Sequence, residues 1–197
     1  MPRIRAASVA EHRDQTMTRL LDAFEAALEE EGFAEITLAG VAERAGIARN
    51  TVYNYAKDKQ ALLVAAVRRA MLAVLADLDA QTDVAVSAEE QLLAVIDRLL
   101  ADFSGGAPRL LVLQALQGSL LAGPGEAEVP RLDSRIEDIV RRGIETGEFR
   151  PSSDVALTVA MMAGAAEAAV RALSRGDRSL AHITREVKTV LLRAVRA

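Results

Sequence analysis

Thr37-Leu38-Ala39-Gly40-Val41-Ala42-Glu43-Arg44-Ala45-Gly46-Ile47-Ala48-Arg49-Asn50-Thr51-Val52-Tyr53-Asn54-Tyr55-Ala56-Lys57-Asp58-Lys59 reads as two short helices and the start of a long one. Thr37 fits an N-cap, and Ile36 and Val41 stand where a hydrophobic staple would close over the first turn. That helix lasts only to Glu43 or Arg44, because Ala45-Gly46 intervenes. A second short helix follows over Arg49 to Tyr55, and Asp58 caps a much longer one reaching about Asp79. Two helices this short are not stable alone, so the helices before and after must serve as their platform. A tri-helical unit of this kind can push its second short helix outward, and the major groove of duplex DNA accepts one α-helix.

The outward face of that second helix would carry Arg49, Asn50, Thr51, Tyr53 and Asn54, with Val52 packed inward. Arginine and asparagine pair bidentately with guanine and adenine edges, while threonine and tyrosine reach phosphates or a thymine methyl. Lys59 falls in the first turn of the next helix, where backbone N–H groups already favour a phosphate. A cation there is poorly placed against the helix dipole, which points to a reason other than helix stability. The chain is acidic overall, at −4, but Arg44, Arg49, Lys57 and Lys59 face only Asp58 between them, giving one local basic stripe. Arg3 and Arg5 are read as a short basic arm or a simple tail.

Around this centre the pattern is helical throughout. Hydrophobic residues make up 51% and aromatics only 3%, with alanine and leucine prominent, a mixture that favours helix over strand. Met17, Leu20, Leu21, Phe24, Ala27 and Leu28 give the first helix, about Glu11 to Glu31, one apolar stripe that Gly32 ends. Gln81 to Val86 reads as a linker, and Ser87 with Glu90 forms a capping box opening a helix to Gly105-Gly106. Pro108 to Leu121 is apolar on most of its circumference and is expected to be an interior helix, with a loop over Gly123 to Pro130. Further helices are expected from about Arg131 to Thr146, Asp154 to Ser174 and Ser179 to the C-terminus.

The run Ile36 to Ile47, followed by Thr51-Val52-Tyr53 and Lys59-Gln60-Ala61-Leu62-Leu63, resembles the TetR family of transcriptional regulators over roughly residues 15–65. Gly143-Ile144-Glu145-Thr146-Gly147-Glu148-Phe149, leading into two long final helices, resembles its C-terminal half more loosely. The resemblance implies an N-terminal three-helix, helix-turn-helix DNA-binding domain over residues 1–58 and a helical effector-binding and dimerisation domain over 59–197. By position it implies that Thr51, Tyr53 and Tyr55 are DNA-facing and that Lys59 takes the family's phosphate-contacting place; Thr37 joins that set. The chain departs from the family pattern at Ala48, where a small polar cap usually opens the recognition helix, at Asn50, and at Ala56-Lys57. The first departure costs about 0.5–2 kcal/mol of capping.

The expected partners are double-stranded DNA, a second copy of the chain through the last two helices, and a small lipophilic effector. Val155, Val159, Met162, Ala166, Ala169 and Leu173, with Leu180, Ile183, Val187, Val190 and Ala194, form stripes read as a four-helix dimer interface suited to a pseudo-palindromic operator. Their alternative is an intramolecular core. Phe103, Gln114 and Gln117 are the candidate effector contacts, amides and a ring on otherwise apolar helices. No cofactor and no metal are expected, since His12 and His182 have no partner at ligand spacing and cysteine is absent. The same absences leave no nucleophile–base set for an enzyme. No leader is read at the N-terminus, and Val155 to Val170, broken by Thr158 and Glu167, is read as a buried helix rather than a membrane span; a cytoplasmic, ligand-released repressor is expected. The competing reading is a helical small-molecule-binding or adaptor protein without DNA binding, which Arg49, Thr51, Tyr53 and Lys59 argue against.

Overall fold

The computed structural model describes residues 6–80, 86–102, 104, 106, 111, 132–176 and 178–196. Among them there are helices, turns and bends and no strand. We number the helices α1 (Ala6–Glu30), α2 (Leu38–Arg44), α3 (Arg49–Val52), α4 (Lys59–Ala80), α5 (Ala88–Asp102), α6 (Asp133–Glu145), α7 (Val155–Arg175) and α8 (Leu180–Val195). The described residues up to Arg69, together with Leu111, form one compact unit; the others from Ala70 onward form a second.

In the first unit, Leu20, Leu21, Phe24, Ala27 and Leu28 of α1 are buried together with Val41, Ala42, Val52, Leu62 and Leu63. Helix α1 begins before the expected Glu11, because Ala6, Ala7 and Ala10 are strong helix formers. The Thr37 hydroxyl accepts the Gly40 N–H at 3.1 Å and opens α2. Its end is a Schellman motif: Gly46 sits at φ +65°, its N–H bonds Glu43 O, and the Ile47 N–H reaches back to Ala42 O at 2.8 Å. Helix α3 is shorter than the expected Arg49 to Tyr55. After Val52 the chain tightens, with Asn54 N–H on Thr51 O and Tyr55 N–H on Val52 O. The Asp58 carboxylate accepts the Ala61 N–H at 2.7 Å and starts α4.

In the second unit the capping box is reciprocal: Ser87 Oγ accepts the Glu90 N–H, and Glu90 Oε2 accepts the Ser87 N–H, both at 3.2 Å. Helix α6 buries Ile136, Ile139, Val140 and Gly143. Beyond it Gly147 turns the chain at φ +79°, and the Phe149 N–H bonds Gly143 O at 2.9 Å. The Phe149 ring then lies on Gly143, where a Cβ would come within 2.2 Å of it. Asp154 and Ser179 cap α7 and α8 through the Leu157 and His182 N–H groups. The Arg150 N–H closes the end of α8 on Val195 O at 2.8 Å. The expected interior helix over Pro108 to Leu121 lies outside the described residues except for Leu111, which is fully buried; the loop over Gly123 to Pro130 lies outside them too.

Two expectations for α7 need correction. The stripe read as a dimer interface is largely the core of this unit: Val159, Met162, Ala169 and Leu173 are buried within the chain, as are Ile183 and Val187 of α8. Nor is α7 a buried helix on all sides. Leu157 and Met161 are 56% and 62% exposed, and Gly164 and Ala168 continue their 4-3-4 spacing along the open side. A helix apolar all round hides from periodicity which side its own fold covers. By length and composition Val155–Leu173 is apolar enough to cross a membrane, and its covered side is the one packed on α6 and α8.

Candidate nucleic-acid interface

The short α3 anchors itself through one side chain. Val52 is fully buried and Ala56 nearly so, while Arg49, Asn50, Tyr53 and Asn54 face solvent and Thr51 is half-buried. Among the described residues, the side chains of Arg49, Asn50, Tyr53 and Asn54 make no hydrogen bond or ion pair. Ala48 provides no side-chain cap, so the first N–H groups of α3 also lack that partner. A row of guanidinium, two amides and a phenol therefore stands on one turn and a half of chain, with its hydrogen-bonding capacity unspent inside the fold. That is a surface able to read base edges and phosphates.

Tyr55 is half-buried, and the Arg13 guanidinium of α1 lies over its ring at 5.9 Å. The sequence left packing and DNA contact open for this residue; the ring serves at least as a seat for Arg13. The pairing of positions 13 and 55 carries no local sequence signal.

Lys59 has a defined internal role. Its ammonium donates to Phe33 O at 2.9 Å and Ala34 O at 2.8 Å and sits 4.9 Å from the Phe33 ring centre. Those carbonyls follow the end of α1, where unpaired acceptors and the negative end of the helix dipole attract a cation. The ring is itself held edge-on to Phe24. This explains a lysine in the first turn of α4, and it leaves one of three ammonium donors for an outside acceptor.

The basic stripe is weaker than its residue list implies. Arg44 forms a fork onto Glu30 at 2.9 and 2.8 Å and reaches Glu31 at 3.0 Å. The hydrogen bonds from Arg44, and then its charge, hold the Glu30 carboxyl below the ordinary carboxylate range. Arg44 thus ties α2 to the end of α1 through Glu30 and Glu31. Arg69 does the same between α4 and α1, meeting Asp22 at 2.6 Å and Glu25 at 2.8 Å. Of the stripe itself, Arg49 and Lys57 are the cations left toward solvent.

Phe103, Gln114 and Gln117 lie outside the described residues. Two of the grooves in the second unit are largely apolar. One, of about 510 Å³, runs between α7 and α8 along Ala165, Ala168, Ala172 and Val190, with Arg178 and Glu186 at its rim. The other, of about 1160 Å³, lies between α5 and α8 along Leu93, Ala101 and Leu192. Its cations are largely committed: Lys188 pairs with Asp97, and Arg196 with Glu89, whose carboxyl is lowered by that hydrogen-bonded contact.

Residues 20–66 match the family described as bacterial regulatory proteins, tetR family. An uncharacterised HTH-type transcriptional regulator from Mycobacterium bovis is 32% identical over 95 residues, 48% of this chain and 50% of that protein. The match thus spans about half the length of that mycobacterial relative. The fatty acid metabolism regulator protein of Bacillus subtilis is 26% identical over 149 residues, 74% of this chain and 77% of its own. In fold, the chain is similar to the crystal structure of a transcriptional regulator, FadR from Bacillus subtilis, in complex with stearoyl-CoA. The TM-score is 0.73 and the identity 20%, covering 91% of this chain and 99% of that one.

Proposed function

We propose that the chain, whose residues 20–66 match the tetR family of bacterial regulatory proteins, is a TetR-type cytoplasmic repressor binding a pseudo-palindromic operator as a homodimer. The observation that carries this reading is the uncommitted row Arg49, Asn50, Tyr53 and Asn54, held outward by the single buried anchor Val52. Thr51 and Tyr55 flank that row, Thr37 stands at the N-terminus of α2, and the remaining donor of Lys59 reaches a phosphate. Each is a proposed contact. Lys57 adds sequence-independent attraction that salt screens.

The second copy would dock on the open side of α7, where Leu157, Met161, Gly164 and Ala168 form an apolar strip, and on Val190 of α8, itself 55% exposed. Apolar surface of this extent is costly to leave in water, and small residues allow close helix approach. Two-fold symmetry then sets two copies of α3 for two half-sites about 34–36 Å, or a multiple of a helical turn, apart.

For the effector, the similarity to a fatty acid metabolism regulator and to a structure holding stearoyl-CoA supports a ligand with a long apolar chain. Phe103, Gln114 and Gln117 stay as proposed contacts. Release requires that the ligand prefer the state with lower operator affinity.

Selection of bound duplexes from a random-sequence library, with the full chain and at several salt concentrations, tests this reading. The expected result is an inverted repeat, bound more weakly as salt rises and by Tyr53→Ala. A folded dimer that enriches nothing at low salt would transfer the case to the ligand-binding or adaptor alternative.

A further inference from the structure

Three exposed arginines of the second unit have carboxylates beside them: Arg141 of α6 meets Glu137 at 2.6 Å, Arg171 of α7 approaches Glu167 at 4.0 Å, and Arg196, just past α8, binds Glu89. Arg142, the more buried neighbour of Arg141, has no such contact. Its Nη2 is buried and has no hydrogen-bond partner, and among the described residues its guanidinium makes no ion pair. A guanidinium carries five donors, and withdrawing any of them from water without an acceptor is unfavourable. An exposed arginine can do without a partner far more easily than this one.

The register of α6 gives its direction. Ile139, Arg142 and Thr146 follow one another at steps of three and four, so they share a flank of the helix. Ile139 is buried. The Thr146 hydroxyl donates to Glu148 Oε1 at 2.9 Å, and Glu148 Oε2 accepts the Glu89 N–H at the start of α5. This flank adjoins α5. The opposite flank, with Val140 and Ile144, faces Thr158 and Val195 of α7 and α8. Carboxylates that might have answered Arg142 are engaged elsewhere: Glu89 with Arg196, Asp97 with Lys188, Glu90 in the capping box, and Glu137 and Asp138 with Arg141.

We propose that Arg142 is an anion anchor in the second unit, taking a carboxylate or phosphate group of a small-molecule ligand onto its buried face. The proposal rests on the small-molecule-effector reading above and adds to it the class of ligand: an amphiphile whose polar end is an oxyanion. A planar guanidinium fork matches either oxyanion with two parallel hydrogen bonds. The ligand would then satisfy a donor that the protein leaves unsatisfied by itself, and a neutral ligand of the same length would not.

The test compares the full-length wild type with Arg142→Met and Arg142→Lys, using dodecanoate, dodecyl phosphate and dodecanol as probes in calorimetric titration, together with melting in the absence of ligand. The wild type should bind at least one of the two anions about tenfold or more tightly than the alcohol. The stronger of the two identifies carboxylate or phosphate as the source. Arg142→Met should lose that preference and Arg142→Lys keep part of it. Without ligand, Arg142→Met should melt no lower than the wild type, because it removes a buried charge that has no partner. A preference surviving in Arg142→Met contradicts the anchor, and so does a ligand-free melting point several degrees lower, the mark of a structural arginine. If no twelve-carbon compound binds, acetate and inorganic phosphate decide: raising the wild-type melting point more than that of Arg142→Met keeps the anchor and removes the long-chain effector. Equal shifts in both proteins remove the anchor.

Discussion

The outward faces of α3 and α7 are both open to solvent, and they are built for opposite kinds of cover. On α3 and the turn after it, the exposed groups are a guanidinium, two amides and a phenol around one buried valine. On α7 they are Leu157, Met161, Gly164 and Ala168, with no hydrogen-bonding side chain among them. The first face loses little in water and gains from a partner carrying matching donors and acceptors. The second is unfavourable in water and gains from any close-fitting apolar surface. Exposure alone says little about function; the chemistry of what is exposed says which partner would complete it.

The largest expected effect comes from breaking the apolar face. Leu157→Glu with Met161→Glu should give a folded monomer by sedimentation, since two carboxylates cannot be desolvated against a like surface. Operator affinity should fall on the order of 100-fold as the second half-site is lost. Arg49→Ala breaks the polar face instead. It should leave the dimer intact, cost about 1–3 kcal/mol in operator binding and relax base preference at one position of each half-site, read by competition titration. Gly143→Ala separates fold from interface: the added methyl meets the Phe149 ring, so stability should drop by about 1–3 kcal/mol in urea. The open apolar side of α7 is left untouched. Ala48→Ser supplies the missing cap of α3 and should raise stability by roughly 0.5–1 kcal/mol, with the same operator preferred.

The smallest expected effect concerns the support beneath the polar face. Arg44 holds the Glu30 carboxyl below its ordinary range. A depressed carboxyl contributes stability above its unfolded value and loses that contribution as the pH falls through the lowered one. The urea midpoint should therefore decline slightly less steeply on acidification in Glu30→Gln than in the wild type. Both groups are exposed enough that the difference will be small.

Much of the first face was legible because its determinants are local. Thr37, Gly46, Val52 and Asp58 each do what their residue type and spacing demand within a few positions of chain. The Ser87–Glu90 box and the caps at Asp154 and Ser179 were legible for the same reason. What the sequence missed acts across distance. Arg44 looked like part of a basic stripe until its fork onto Glu30, fourteen residues away, was seen. Lys59 looked misplaced until the Phe33 and Ala34 carbonyls were found beneath it. On α7 the periodic stripe was real, but its inner half belongs to the chain's own core. Nearly uniform alanine, valine and methionine cannot tell periodicity which apolar side is left open.

Hydroxyl-radical footprinting of a selected duplex, with the wild type and Leu157→Glu/Met161→Glu in parallel, tests most directly that the polar face reads DNA in two copies set by the apolar one. The wild type should protect two patches on one side of the duplex, centred a whole number of helical turns apart, and the variant should protect neither patch at the same concentration. One patch from a folded dimeric wild type, or two from the monomeric variant, would contradict the account.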